Sequence, residues 1–151
     1  MPATPDLSAP RTILAFDFGL RRIGVAVGQD VTGSASPLGI VANRNDGIDH
    51  AAIATLIREW QPSSLVVGMP SHADGSPSEM QVPVGAFIDE LRQYDLPINT
   101  VDERYTSIEA ERALKEARAA GTRGRVSREM VDSAAAVVIA ERFLAGAQEY
   151  P

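Results

Sequence analysis

The chain has 151 residues, of which 44% are hydrophobic and 23% charged, with no cysteine and only two histidines, His50 and His72. That is the length of one domain able to bury its own core, and it excludes a disulfide framework, thiol catalysis and a zinc site of the usual Cys/His kind. Fourteen basic residues against twenty acidic ones give a net charge of −6, which argues against a protein whose main task is to hold nucleic acid.

Residues 1–10 carry three prolines and no apolar core. They read as a disordered leader and not as a signal peptide. Residues 11–146 read as a single domain and 147–151 as a tail. No apolar run approaches the length that spans a membrane, and the lack of cysteine fits a reducing, cytoplasmic setting. Thr12 to Phe16 is a continuous apolar run ending in Asp17. Ile23 to Val27 follows after a short turn, and Ser34 to Val41 is a third, looser run. Short turns between such runs predict an antiparallel meander. The period then changes: Ala51, Ile53, Ala54, Leu56, Ile57 and Trp60 fit a helix stopped by Pro62. Ser64 to Met69 is a buried strand, and 70–78 a long loop of Pro, Gly, Asp and Ser. A helix over about 83–94 leads to a short strand, Ile98 to Val101, ending in Asp102-Glu103. Thr106-x-x-Glu109 is a capping box for a helix that Gly121 ends. After a loop, Ser127 caps a last helix running to about Ala145.

The predicted order is β-β-β-α-β-α-β-α-α. It implies an α/β fold with a mixed sheet: three antiparallel strands, two more parallel to the first, and helices on both faces.

Three carboxylate positions stand out. Asp17 ends a strand with no polar side chain in the four positions before it. Such a strand is central, and a carboxylate at its end costs free energy unless it is paired or coordinated. Capping the Phe18-Gly19 turn is the alternative use for it. Asp102-Glu103 ends the last strand at the edge where parallel sheets bind ligands. Side chains alternate along a strand, so only one of the two can face a given point. Either could instead supply charge ahead of the next helix or pair with Arg104. Asp132 lies too far inside the last helix for the helix dipole to explain it. The small residues Ser133 to Ala136 after it let the helix approach the sheet; an ordinary solvated Asp is the alternative. If the three converge, hard oxygen ligands without His or Cys suit Mg²⁺ or Mn²⁺. Two such ions about 4 Å apart clamp the attacking water and the leaving oxygen of a phosphodiester.

The run Asp17-Phe18-Gly19-Leu20-Arg21-Arg22-Ile23-Gly24-Val25-Ala26 resembles the opening motif of the YqgF/RuvX family of pre-16S ribosomal RNA nucleases. Val66-Val67-Gly68-Met69-Pro70 with Asp74-Gly75, then Asp102 to Ala110, then Val131 to Ala136, resemble its other three blocks in order. The resemblance spans about 11–144. It implies an RNase H-like, RuvC-like mixed five-stranded sheet of order 3-2-1-4-5. It also implies metal-dependent cleavage in maturing the 5′ end of 16S ribosomal RNA, with Asp17, Glu103 and Asp132 as catalytic acids and metal ligands. An older reading of the same family is a Holliday junction resolvase. The chain departs from the pattern at Pro70-Ser71-His72-Ala73, where the family has an Asn after Pro-Leu, and at Arg21, often Lys. His72 is either a substrate contact or a solvated loop residue. The strand beside the first ends in Met69 with no acid, so Glu103, one strand farther away, must reach across.

The basic residues are unevenly spread: from Arg104 to Arg128 seven basic residues face three acidic ones, a local +4. Arg21, Arg22, Arg104, Arg123, Arg125 and Arg128 are candidates to hold nucleic-acid phosphates. The expected partners are precursor ribosomal RNA and ribosomal particles. No apolar helix face is left spare, which points to a monomer or a weak dimer. Eight aromatic residues are few for base stacking. A kinase-like nucleotide site needs two such domains and has no Gly-x-x-x-x-Gly-Lys loop here. A ribosome assembly factor that binds RNA without cutting it is the competing reading from another class.

Overall fold

Four apolar residues in a row can be buried on both sides only in the middle of a sheet, and Ile13 to Phe16 lie there, each 2% exposed or less. The structure, a computed structural model, describes residues 11–72, 74, 76–103, 112, 114–116 and 128–146, without the side chains of 128–132. Its strands are β1 (Thr12–Asp17), β2 (Arg22–Gln29), β3 (Ser34–Arg44), β4 (Gly47–Ile48), β5 (Ser64–Met69) and β6 (Ile98–Asp102). They form one sheet of order β4-β3-β2-β1-β5-β6. β1, β2 and β3 are an antiparallel meander, and β5 and β6 run parallel to β1.

The five expected strands are present in the expected order, and the correction is a sixth. Arg44 pairs with Gly47 and Asn43 with Ile48, so β4 folds back on β3. Gly47, at φ 127°, supplies a left-handed turn residue after Asn45-Asp46. β3 also carries one residue more than β2 where Val25 and Ala26 face Gly39 and Pro37. Gly39 takes φ 101° at that bulge.

Two helices cover one face. α1 (His50–Trp60) starts where Asp49 accepts a hydrogen bond from the Ala52 N–H, and ends at Gln61 in the left-handed conformation before Pro62. α2 (Gln81–Leu91) begins two residues earlier than predicted and stops three earlier. Pro83 sits in its first turn, where a missing N–H costs nothing. Residues 92–94 tighten into a 3-10 turn closed by Asp95 at φ 57°. Under these helices Leu14, Phe16, Leu65 and Val67 pack with Ile53, Val84, Phe87 and Leu91.

α3 (Arg128–Leu144) covers the opposite face. Ile13, Ala15, Val66 and Val101 meet its Ile139 and Ala140, and Ala26 meets Ala136 and Val137. Small residues on both sides bring the helix close to the sheet. α3 is broken at Ser133, whose φ of −123° is not helical. Leu114, in a helical stretch, packs on Ala134 and Val138. The predicted caps at Thr106 and Ser127 and the Gly121 stop lie outside the described residues. No described helix is long and apolar enough to cross a membrane.

Candidate active site

Alternation along β1 sends Leu14 and Phe16 to the α1/α2 face and Ile13 and Ala15 to the α3 face. Asp17 therefore points to the α3 face. Its orientation is fixed from both sides, because Phe16 and Phe18 each pack a ring on Phe87, with centroids 5.6 and 5.2 Å apart. The turn after Asp17 is held by another residue. The Asn43 side chain donates to the Gly19 carbonyl (2.9 Å), and the Asn43 N–H donates to that of Arg21 (3.0 Å). Among the described residues Asp17 makes no hydrogen bond to this turn, so the capping role is not what holds it there.

At the end of β6 the two acids part. Val101 is buried on the α3 face. Asp102 faces the other way and accepts a hydrogen bond from the Ser71 hydroxyl (2.8 Å). Glu103 then returns to the α3 face. Its N–H donates to the Met69 carbonyl (3.1 Å), which carries the ladder one step past the strand. From α3, Arg142 donates to the Asp102 carbonyl (2.6 Å) and ties the helix to this strand end.

Asp17 and Glu103 meet across β5. Their carboxyl groups interact directly, and the side-chain hydrogen bond they share lowers Asp17 and raises Glu103. Burial raises Asp17 above the ordinary carboxylate range, and its bond to Glu103 offsets part of that. Glu103 is pushed up to about 7, first by burial, then by the charge of Asp17 and the shared hydrogen bond, against the opposing charge of Arg142. Glu103 Oε2 is buried and accepts no hydrogen bond among the described residues. A buried carboxylate oxygen without a donor, beside a second carboxylate, is a defect for folding and a fitting place for a hard cation. Both flanking strands carry glycine at this level: Gly24 opposite Asp17 on β2, and Gly68 one step past the Phe16–Val67 pair on β5.

Two of the three predicted acids are thus brought together. Asp132 lies in the first turns of α3, just before the break at Ser133, and its side chain lies outside the described residues. Among the described residues no third metal-ligating side chain joins the pair. Arg21 and Arg22 are exposed beyond Asp17, at the start of β2. Arg104, Arg123 and Arg125 lie outside the described residues, as does the side chain of Arg128. His72 is exposed in a loop tied by a Ser71–Pro77 bridge and by Asp74, which accepts from the Ser76 N–H (2.9 Å) and hydroxyl (2.6 Å). Sequence reasoning missed Asn43, Ser71 and Arg142. Asn43 was signalled by the Asn-Asp-Gly turn that follows it; the other two act through tertiary contacts that no local pattern announces.

The profile of the RuvX family, described as Holliday junction resolvase, matches residues 11–146. A Burkholderia lata protein provisionally named a pre-16S rRNA nuclease is 45% identical over 134 residues, 88% of each chain. A Paraburkholderia xenovorans protein of the same name is 45% identical over 136 residues, 89% of this chain and 88% of its own. The fold is similar to that of Thermus thermophilus RuvC, with a TM-score of 0.55 at 12% identity over 90% of this chain and 97% of that one. The same protein in complex with Holliday junction substrate gives 0.54 at 13% identity, over 90% and 94%. At such identity the likeness is one of fold, and it bears out the RNase H-like arrangement.

Proposed function

The chain belongs to the RuvX family, a family of nucleases, and from that premise we propose that it is a metal-dependent phosphodiester hydrolase maturing the 5′ end of 16S ribosomal RNA in the cytoplasm. The observation that carries this is the buried Asp17–Glu103 pair at the carboxyl ends of parallel strands, with an oxygen left without a donor among the described residues. Two carboxyl groups held this close repel when both ionise. A cation relieves that repulsion, and the donor set is all oxygen, which selects Mg²⁺ or Mn²⁺.

In this reading Asp17 and Glu103 hold the metal from the sheet, and Asp132 completes the set from α3. Bound there, the metal supplies the charge that activates a water and stabilises the leaving 3′ oxygen. The protein's own part is to position. β1 ends on Asp17, and Glu103, just past β6, reaches back over Gly68 toward it. Arg21 and Arg22, with Arg104, Arg123, Arg125 and Arg128, hold flanking phosphates. Precursor ribosomal RNA is the partner the names of the relatives suggest.

The family description favours a second reading, junction resolution. A four-way junction presents two symmetric scissile sites and calls for two coupled active sites. A single-stranded RNA tail requires one groove and one site, which a single chain of this size supplies.

The test of metal-dependent hydrolysis is a calorimetric titration of purified protein with Mn²⁺, followed by incubation with labelled precursor RNA with and without chelator. Saturable binding and chelator-sensitive cleavage are expected. Binding of RNA without cleavage at any metal concentration would make the protein an assembly factor.

A further inference from the structure

We infer that Gly68 is a positioning residue: by lacking a side chain it opens the path by which Glu103, two strands from β1, reaches Asp17. This rests on the reading of Asp17 and Glu103 as a metal-binding pair and adds to it what makes the pair possible.

β5 separates the strands that carry the two acids. Its side chains alternate: Leu65 and Val67 go to the α1/α2 core, and Val66 goes to the α3 face. Gly68 belongs to the α3 face, at the level of Val101 on one side and one step past the Phe16–Val67 pair on the other. It therefore lies between the two acids, on their own face of the sheet. A Cβ built on Gly68 would overlap Glu103 Oε2 and would also crowd Cδ1 of Ile139 on α3. Both colliding atoms are side-chain ends, but both are buried: Ile139 is fully enclosed under the sheet, and Glu103 Oε2 is buried as well. Gly68 is not among the residues with positive φ, so its backbone does not demand glycine. A central strand is also a poor place for one, since glycine there costs chain entropy and packs nothing. What the residue supplies is room. The Glu103 side chain fills the volume that any other residue at 68 would claim, and its carboxyl group thereby stands beside Asp17.

The sequence-level difficulty, that the strand next to β1 ends without an acid, has a physical answer here. β5 contributes a gap, and the acid comes from the strand behind it.

The experiment compares Gly68→Ala, Glu103→Ala, the double variant Gly68→Ala/Glu103→Ala, and Gly68→Ala/Ile139→Val, in which the second collision is relieved. Each is melted without metal and titrated with Mn²⁺ by calorimetry. Gly68→Ala is expected to melt lower than the parent, and to regain stability when Glu103 is also shortened, because the methyl group then has space. Gly68→Ala/Ile139→Val is expected to fold and yet to bind Mn²⁺ at least ~10-fold more weakly than the parent, the scale seen when the residues that orient a metal ligand are removed. In the Glu103→Ala background the same Gly68→Ala change should cost no further affinity, a non-additivity that marks one shared function. Additive losses, or parental Mn²⁺ affinity in Gly68→Ala/Ile139→Val, would overturn the inference. Asp17→Asn serves as the separate control. If it too binds Mn²⁺ like the parent, the metal-site reading is what fails. If it loses binding while the Gly68 variants keep theirs, the role of Gly68 fails alone.

Discussion

Asp17 ends β1 and Glu103 follows β6, strands that do not touch, yet their carboxyl groups share a hydrogen bond across β5. An apolar environment, a neighbouring like charge and a buried oxygen without a donor among the described residues all meet at this point. Such an arrangement opposes folding unless the site gains something from it, and most of the testable consequences follow from that tension.

The first consequence is a pH dependence of stability with an unusual sign. Glu103 titrates from an ordinary value of 4.5 up to about 7 in the folded protein. Between those values the folded chain holds a proton that the unfolded chain has released. Stability then falls as pH rises. The metal-free melting temperature should decline from about pH 4.5 to about pH 7, the window those two values bracket. Glu103→Gln should flatten the decline. Saturating Mg²⁺ should reverse it, because cation binding requires the ionised form. Calorimetric melts at constant ionic strength check this; a metal-free melting temperature that rises across the window would contradict it.

Asp17→Asn should separate function from fold. Loss of one ligand is expected to reduce metal-dependent cleavage by a factor of roughly 10²–10⁴. The metal-free melting temperature should stay the same or rise, since the change removes one of two repelling charges. Cleavage at the parental rate, or a metal-free variant that melts well below the parent, would remove Asp17 from the ligand set.

Much of this frame was legible in the sequence. Asp17 stood out because four buried residues precede it and nothing local explains a carboxylate there. The meander, the βα units and the small residues of α3 carried clear periodicities. The choice between Asp102 and Glu103 was not legible. Ile98 and Val101 are both apolar and face opposite sides of the sheet, so alternation in this five-residue strand points both ways. The pairing of Met69 with Asp102 decides it. The break at Ser133 was hidden as well, because the run from Ser133 to Ala140 reads as uninterrupted helix. β4 escaped because two residues are too few to show a period.

Asn43→Ala should loosen the turn that follows Asp17. The change removes the side-chain bond to the Gly19 carbonyl while the backbone bond to Arg21 remains. One part-buried hydrogen bond of this kind contributes about 1 kcal/mol. Urea unfolding should show a loss of that size. A midpoint equal to the parent's would mean that the backbone bond to Arg21 and the Phe18–Phe87 contact suffice to fix the turn.

Replacing Arg123 and Arg125 with Ala should weaken binding of all RNA sequences alike, because phosphate contacts carry no sequence information. The log–log salt dependence of binding should become shallower by about 0.7 for each single-strand phosphate that the protein no longer neutralises. Titrations at several salt concentrations measure the slope, and an unchanged slope would exclude both arginines from the RNA path.

The identity of the substrate separates the two nuclease readings, and one assay decides between them. Labelled precursor 16S RNA and a labelled four-way DNA junction are offered side by side, at equal concentration, with Mg²⁺ or Mn²⁺. Cleavage is expected in the single-stranded RNA flanking the structured precursor. It should be lost with Asp17→Asn and unsupported by Ca²⁺, whose loose coordination does not align the in-line attack. Paired symmetric cuts in the junction, with the RNA left intact, would contradict this and assign the chain to junction resolution.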